Sequence, residues 1–342
     1  MNTPTPTTSP LLDSTPSTTL RTGLSLRTAK WSDDQAVAKL ILDVCTADGD
    51  PTVAVTVDDL RREWEIEGFT LETDAWVVEA PNGQIVGFEE FNNKFAHADL
   101  QGDGYVHPNY MGRGIGTALL RALDERALEE MKLAEPDLRV YIRNGMAIGD
   151  TVGREAHEAE GYKPVRFSWR MEIELKETPP AAVWPADVVL RPFTPERHNR
   201  AVFEAHDEAF RDHRGHTPGS FADWQTRMTN RADFDPSLWF IAWDGNQIAG
   251  YSLCRFRMGI GWVGSLGVRR PWRERGLGQA LLYHSFGEFH KRGMNTVGLG
   301  VDASNPTGAT RLYQKAGMNI AAEYVIYEKE LRPGREISVE SS

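Results

Sequence analysis

Two cysteines in 342 residues, Cys45 and Cys254, leave no disulfide framework, no CxxC and no Cys/His cluster. Structural zinc is thereby excluded, and the pair reads as two reduced, mostly buried small hydrophobes. Positive charge is scarce as well: 38 Lys plus Arg stand against 49 Asp plus Glu, a net charge of −11. Gripping a nucleic-acid backbone or an anionic membrane surface needs clustered cations, so neither partner is expected. No window approaches the ~18 uninterrupted apolar residues of a membrane span. Residues 1–20 carry neither Lys nor Arg nor an apolar stretch fit for a secretory signal. The expected location is cytoplasmic. His206, His213 and His216 cluster in sequence, but without an HExxH pair or a carboxylate at ligand spacing no metal site is expected.

At ~150 residues per domain, the length fits about two domains, each large enough for its own core. Residues 1–22 hold 11 Ser or Thr and four Pro, a composition that cannot bury enough apolar surface to offset ordering, and read as a disordered tail. KETPPAAVWPAD, residues 176–187, is Pro-rich and non-periodic and reads as a linker. The segments either side of it match each other. LSLRTAKWSDDQ pairs with VVLRPFTPERHN, WVVEAPNGQIVGFEEF with WFIAWDGNQIAGYSLC, GRGIGTALL with ERGLGQALL, and AEGYKPVRFSWRMEIEL with KAGMNIAAEYVIYEKEL, at offsets of 164, 163, 162 and 156. The order and near-constant offset mark a duplicated globular unit: 23–175, then 188–333, with a tail at 334–342. Within each copy the pattern is strand, helices, hairpin, strand, glycine turn, helix, strand, helix, strand. The predicted fold is α/β (α+β), each copy a mixed, mostly antiparallel sheet flanked by helices.

GSLGVRRPWRERGLGQALL places a strand before a loop with Arg269, Arg270, Arg273 and Arg275, then Gly276 and Gly278 at a helix start. Glycine there lets a ligand approach the backbone, while the unpaired NH groups of the first helical turn favour an anion such as phosphate. GxxxxGK[ST] is absent, and GRGIGT is spaced GxGxG rather than GxGxxG, which disfavours nucleotide hydrolysis and hydride transfer.

RERGLG, Arg273 to Gly278, fits the [QR]xxGx[GA] signature of the GNAT acetyltransferase superfamily. VDASNPTGATRLYQKAGM resembles the same superfamily's second signature, with Asn305 and Tyr313 eight residues apart. The tandem arrangement from Leu24 to Leu331 resembles the two-domain mycothiol synthases of that superfamily. The resemblance implies acetyl-CoA as cofactor. Its holders would be Leu266, Gly267 and Val268 on the strand, then Arg273, Glu274, Arg275, Gly276, Leu277, Gly278 and Gln279 at the turn, and Asn305. A strand amide would polarise the thioester carbonyl, and Tyr313 would be the general acid toward the departing thiolate.

An acceptor ammonium must lose a proton before it attacks. The strand GWVGSLGV has no carboxylate, so the candidate bases lie in HDEAFRDHRGH: Glu208, Asp212 and His213. The first copy keeps a possible second cradle, Val106, Gly112, Arg113, Gly114, Ile115, Gly116 and Thr117, but has Met111, Gly149 and His157 where Arg273, Asn305 and Tyr313 stand. The leading expectation is N-acetyl transfer to the primary amine of a small molecule, catalysed in the second copy. The alternative is a non-catalytic acyl-CoA-binding or regulatory module. Either would be a monomer or homodimer.

Overall fold

The computed structural model describes residues 20–211, 220–231, 233–304 and 308–337. Asp212, His213 and Asn305 lie outside the described residues, as do residues 1–19 of the expected tail. The first repeat runs β1 (Ser25–Thr28), α1 (Asp34–Ala47), α2 (Val57–Trp64), α3 (Leu71–Asp74), β2 (Ala75–Glu79), β3 (Ile85–Phe95) and β4 (Asp99–Val106). It continues with α4 (Ile115–Met131), β5 (Val140–Ala147), α5 (Thr151–Ala159) and β6 (Lys163–Glu174). The second runs β7 (Val188–Arg191), α6 (Pro195–Phe210), α7 (Phe221–Met228), β8 (Trp239–Asp244), β9 (Gln247–Arg257) and β10 (Ile260–Val268). It ends with α8 (Leu277–Lys291), β11 (Thr296–Asp302), α9 (Ala309–Lys315) and β12 (Asn319–Arg332).

Local chemistry sets these elements. Leu277, Leu281, Phe286 and Phe289 recur along one side of α8 and are at most 1 % exposed, packed on the sheet. Ile115, Leu119, Leu123 and Ala127 do the same for α4. The ends of α5, α8 and α9 are stopped alike. Gly161, Gly293 and Gly317 take positive φ, and Tyr162, Met294 and Met318 donate backbone NH to the carbonyls of His157, Phe289 and Tyr313. That is the glycine-terminated helix end, which satisfies carbonyls the helix cannot.

All twelve strands share one sheet, in the order β1-β2-β3-β4-β5-β12-β6-β11-β10-β9-β8-β7. The two repeats are therefore joined edge to edge, and they exchange their last strands. β6 pairs antiparallel with β11 from Thr296↔Glu174 to Asp302↔Ser168, and β12 pairs antiparallel with β5 from Tyr324↔Ala147 onward. Met171 of β6 is buried in the core of the second half, while Val325 and Tyr327 of β12 are buried in that of the first. Arg139 binds Glu328 and Glu330 at 2.6 Å, and Lys329 binds Asp124 at 2.6 Å, so charge follows the same crossing. The sequence repeat and the packing unit thus differ by one strand.

Only residues 20–22 of the expected tail are described. Arg21 donates its backbone NH to Arg113 at 3.2 Å, and Leu20 and Leu24 cover apolar residues of β2 and α4. Residues 176–187 contain no helix or strand, yet Trp184 packs edge-on to His284 of α8 at 5.7 Å. Burial of apolar side chains holds Leu20, Leu24 and Trp184 against the body of the protein.

An isolated first repeat leaves β5 with an open edge and β6 with no neighbour. A chain ending at Leu175 should fail to show a cooperative urea transition by tryptophan fluorescence, where the full chain shows one. A sigmoidal transition for the shortened chain would contradict the exchanged packing.

Candidate active site

Each half carries a parallel strand pair that parts midway. β10 and β11 pair only at Gly261↔Val297 and Trp262↔Gly298, after which β10 runs on to Val268 with that edge open. β4 and β5 pair from Asp99↔Tyr141 to Gly102↔Asn144, and β4 continues to Val106. In the second half the parting coincides with a bulge, since Val263 faces Cys254 while Ser265 faces Leu253, leaving Gly264 unmatched. Open backbone edges at the centre of a sheet need an external partner.

The glycine turn lies at the end of that open edge. Gly276 sits at φ +80°, as N-cap of α8, and a Cβ there would meet nothing within 4 Å, so the space before the helix is open. Glu274 also has positive φ, at 63°, which bends the chain into the turn; Glu274 and Arg275 are exposed. Leu277 is buried, and Leu266 and Val268 pack against the core. Gly278 lies under α9, where a Cβ would come within 3.3 Å of Leu312. Gln279 donates to the Tyr283 hydroxyl at 3.2 Å on the exposed side of the helix.

The arginine loop is largely structural. Arg273 donates to the Val268 carbonyl at 3.1 Å and the Ala209 carbonyl at 3.2 Å, tying the turn to β10 and α6. Arg269 binds Glu208 at 2.6 Å and the Ile248 carbonyl at 3.0 Å. Glu208, read from the sequence as a candidate base, is therefore ion-paired with a guanidinium. Tyr313 is 7 % exposed on α9, and burial alone pushes its phenol up to about 12. Next to Leu312, which faces the first turn of α8, it is held as a protonated hydroxyl.

Two buried hydroxyls on the sheet were not singled out by sequence reasoning. Tyr251 pairs directly with Gly267, and a Cβ on Gly267 would land on its hydroxyl. Ser265, two residues earlier, brings its hydroxyl toward the same place without closing a well-aligned hydrogen bond. His206 of α6 stacks on the Tyr251 ring at 5.9 Å.

The first half repeats the backbone geometry. Gly114 is the N-cap of α4 at φ +79° and Gly112 has φ +68°. A cleft of about 390 Å³, including its open mouth, is lined by Val106, Met111, Gly112, Gly114, Ile115, Gly116 and Thr117, with Asp150 and Gly153 opposite. Arg113 bonds the Asn109 carbonyl at 3.1 Å and stacks on Tyr110 at 4.6 Å. His157 accepts no role like that of Tyr313: burial lowers its pKa, and its Nδ1 is 2.7 Å from the Gly153 carbonyl.

The sequence model of the Acetyltransferase (GNAT) family matches residues 199–318, and that of an Acetyltransferase (GNAT) domain matches 72–146. A mycothiol acetyltransferase of Thermomonospora curvata is 31 % identical over 249 residues, 72 % of this chain and 80 % of that one. The crystal structure of a GCN5-related N-acetyltransferase from Sphaerobacter thermophilus is 38 % identical, with a TM-score of 0.80 over 94 % of this chain and 100 % of that one. The chain belongs to the GNAT acetyltransferase family. A tandem GNAT protein from the clavulanic acid biosynthesis pathway, 18 % identical with a TM-score of 0.68, covers 91 % of this chain and 100 % of its own and shares the fold.

In this GNAT acetyltransferase no three His, Cys, Asp or Glu side chains among the described residues could hold a metal ion. Cys45 and Cys254 are both free and buried, and burial pushes their thiols up to about 12 and about 11. No helix among the described residues is long and apolar enough to cross a membrane.

The two site glycines should respond differently to substitution. Gly276→Ala has room but must hold left-handed backbone, at a cost of roughly 1–2 kcal/mol in denaturant-measured stability. Gly267→Ala keeps an allowed backbone but drives Tyr251 aside, an overpacking of about 1–3 kcal/mol that also displaces the β9–β10 pairing. Equal stability of Gly267→Ala and wild type would mean that Tyr251 does not occupy that space.

Proposed function

We propose that the protein transfers an acetyl group from acetyl-CoA to the primary amine of a small molecule, with the chemistry in the second half, residues 188–333. The observation that carries this reading is the open, left-handed turn at Gly276, at the end of a strand whose edge has lost its parallel neighbour. That geometry fits the cofactor, because α8 presents unpaired NH groups to a diphosphate while the free edge of β10 can pair with an extended pantetheine-like chain. Acetyl-CoA supplies an activated acyl group with a thiol as leaving group. The backbone NH groups of Ser265–Val268 on the open edge polarise a carbonyl laid against them. Tyr313, kept protonated by burial, supplies a proton on the α9 side. Glu208 is left out of this scheme, because Arg269 holds its carboxylate. Relatives named mycothiol acetyltransferase favour a small acceptor over a protein.

A second reading concerns the first half alone. Its formed cleft and its Met111 and His157 favour acyl-CoA binding without chemistry. The two halves would then divide a catalytic and a supporting role.

Replacing Tyr313 with Phe should leave acetyl-CoA affinity in place and lower turnover by ~10², the usual worth of a positioned proton donor. An unchanged kcat near neutral pH removes Tyr313 from the scheme. Gly276→Val should abolish cofactor binding in the second half by calorimetry, whereas Gly114→Val should remove only a second, weaker binding event. Normal stoichiometry in both variants would refute the cradles.

A further inference from the structure

The strand face beside the open edge of the second half carries polar groups that the proposed chemistry does not use. Tyr251, Leu253, Arg255 and Arg257 alternate along β9, and Tyr251 and Leu253 are buried with residues of α6 and α7, so all four point to that side of the sheet. On β10 they face Gly267, Ser265, Trp262 and Ile260 in turn. The Tyr251 and Ser265 hydroxyls are fully buried with no hydrogen-bond partner. Arg255 is half-buried, with its Nε enclosed and equally without a partner. Orphaned polar atoms inside a protein are costly unless something from outside the chain completes them. Gly264, left unmatched by the bulge next to Ser265, is exposed, so the row is reached from solvent.

The carboxylates that act on Arg255 are held elsewhere. Asp233 takes both prongs of Arg231, at 2.8 and 3.1 Å, and Asp59 of α2 accepts from Thr56 at 2.8 Å and from Arg62. The next residue on that face of β9, Arg257, donates to the Val53 carbonyl at 3.2 Å and lies over the Trp262 ring at 5.3 Å. Burial, followed by Arg231 and Arg257, pulls the Arg255 guanidinium down to about 10, which still leaves it charged at neutral pH. A guanidinium with an unused Nε–H suits a carboxylate, whose two oxygens match its fork. In the first half the places of Tyr251, Ser265 and Arg255 are held by Phe88, Asp103 and Asn92, so the row belongs to one copy only.

We propose that this face binds a primary amine that also carries a carboxylate, with the Ser265 and Tyr251 hydroxyl oxygens accepting from the amine and Arg255 holding the carboxylate. The inference rests on the acetyl-transfer reading only for calling that molecule the acceptor, because Ser265 begins the stretch of open edge whose amides polarise the acyl carbonyl. Arg255 and Leu253, which faces Ser265, are two residues apart, roughly 7 Å along the strand. Amine and carboxylate therefore stand at opposite ends of a spacer of several bonds, as in an ω-amino acid, and not on one carbon as in an α-amino acid.

The test is calorimetric titration of the full-length protein with 5-aminopentanoate and, separately, with pentylamine, which has the same chain without the carboxylate. CoA is present in excess and supplies no acetyl group to transfer. Saturable binding of 5-aminopentanoate, at least about tenfold tighter than that of pentylamine, is expected from a charge-assisted pair. Arg255→Gln should abolish the preference. Arg255→Lys, which keeps the charge but not the fork, should reduce it severalfold, and serves if Arg255→Gln fails to fold. Ser265→Ala should weaken both ligands alike, as loss of an amine contact requires. Absence of saturable 5-aminopentanoate binding, or a preference that the arginine variants leave unchanged, overturns the site. Binding with the expected preference but no acetylation of 5-aminopentanoate from acetyl-CoA refutes the acetyl-transfer reading and leaves the site standing, so the two fail separately.

Discussion

A strand in a sheet has two edges, and the arrangement of this protein follows from how the edges of β5 and β11 are filled. Each lies parallel to a strand that leaves it after a few residues, β4 in one case and β10 in the other. The parting opens backbone groups at the centre of the sheet, which is what an acyl donor can exploit and what a folded protein must otherwise avoid. The far edges of β5 and β11 are closed by β12 and β6, each contributed by the opposite half. The wedge can stay open because its outer wall is fastened from elsewhere, with ion pairs from Arg139 and Lys329 and the buried rings of Tyr327 and Tyr162 at the join.

On that shared backbone the halves have divided their side chains. Both keep a left-handed glycine ahead of a long helix. The second half adds Tyr313, but its strand face bears hydroxyls, Tyr251 and Ser265. The first has lost the tyrosine and carries carboxylates on the matching face. Two of the four loop arginines that colour the second turn in the sequence are spent on the chain's own groups, Arg273 on two carbonyls and Arg269 on Glu208. What the turn leaves facing the open space at Gly276 is backbone NH more than these two guanidinia.

Much of the fold was legible because repetition doubled each signal. Gly161 and Gly317, Gly114 and Gly276, and the two Asn-Gly and Gly-Asn hairpins mark the same turns twice. What could not be read was the exchange: AEGYKPVRFSWRMEIEL and its counterpart are equally good last strands for either half, and period-two alternation says nothing about which neighbour a strand selects. Of the expected tail only residues 20–22 are described, and residues 176–187 form no helix or strand, although one tryptophan, Trp184, docks that segment on α8. The buried carboxylates of β3 had a signal in IVGFEEF, where two consecutive glutamates in an apolar strand must turn one to each face. Glu89 and Glu90 do so, yet only packing reveals that neither face is solvent.

The reciprocal crossing of β6 and β12 is the geometry of a domain-swapped homodimer drawn into a single chain, with residues 176–187 as the splice. In a true dimer of identical protomers every substitution appears on both sides of the axis, so Tyr313 and the buried carboxylate of Glu90 would have had to coexist in each copy. Covalent fusion lifts that symmetry. Two ancestral duplicates that still lean on each other for their last strand are free to specialise, and neither can be lost without unravelling its twin.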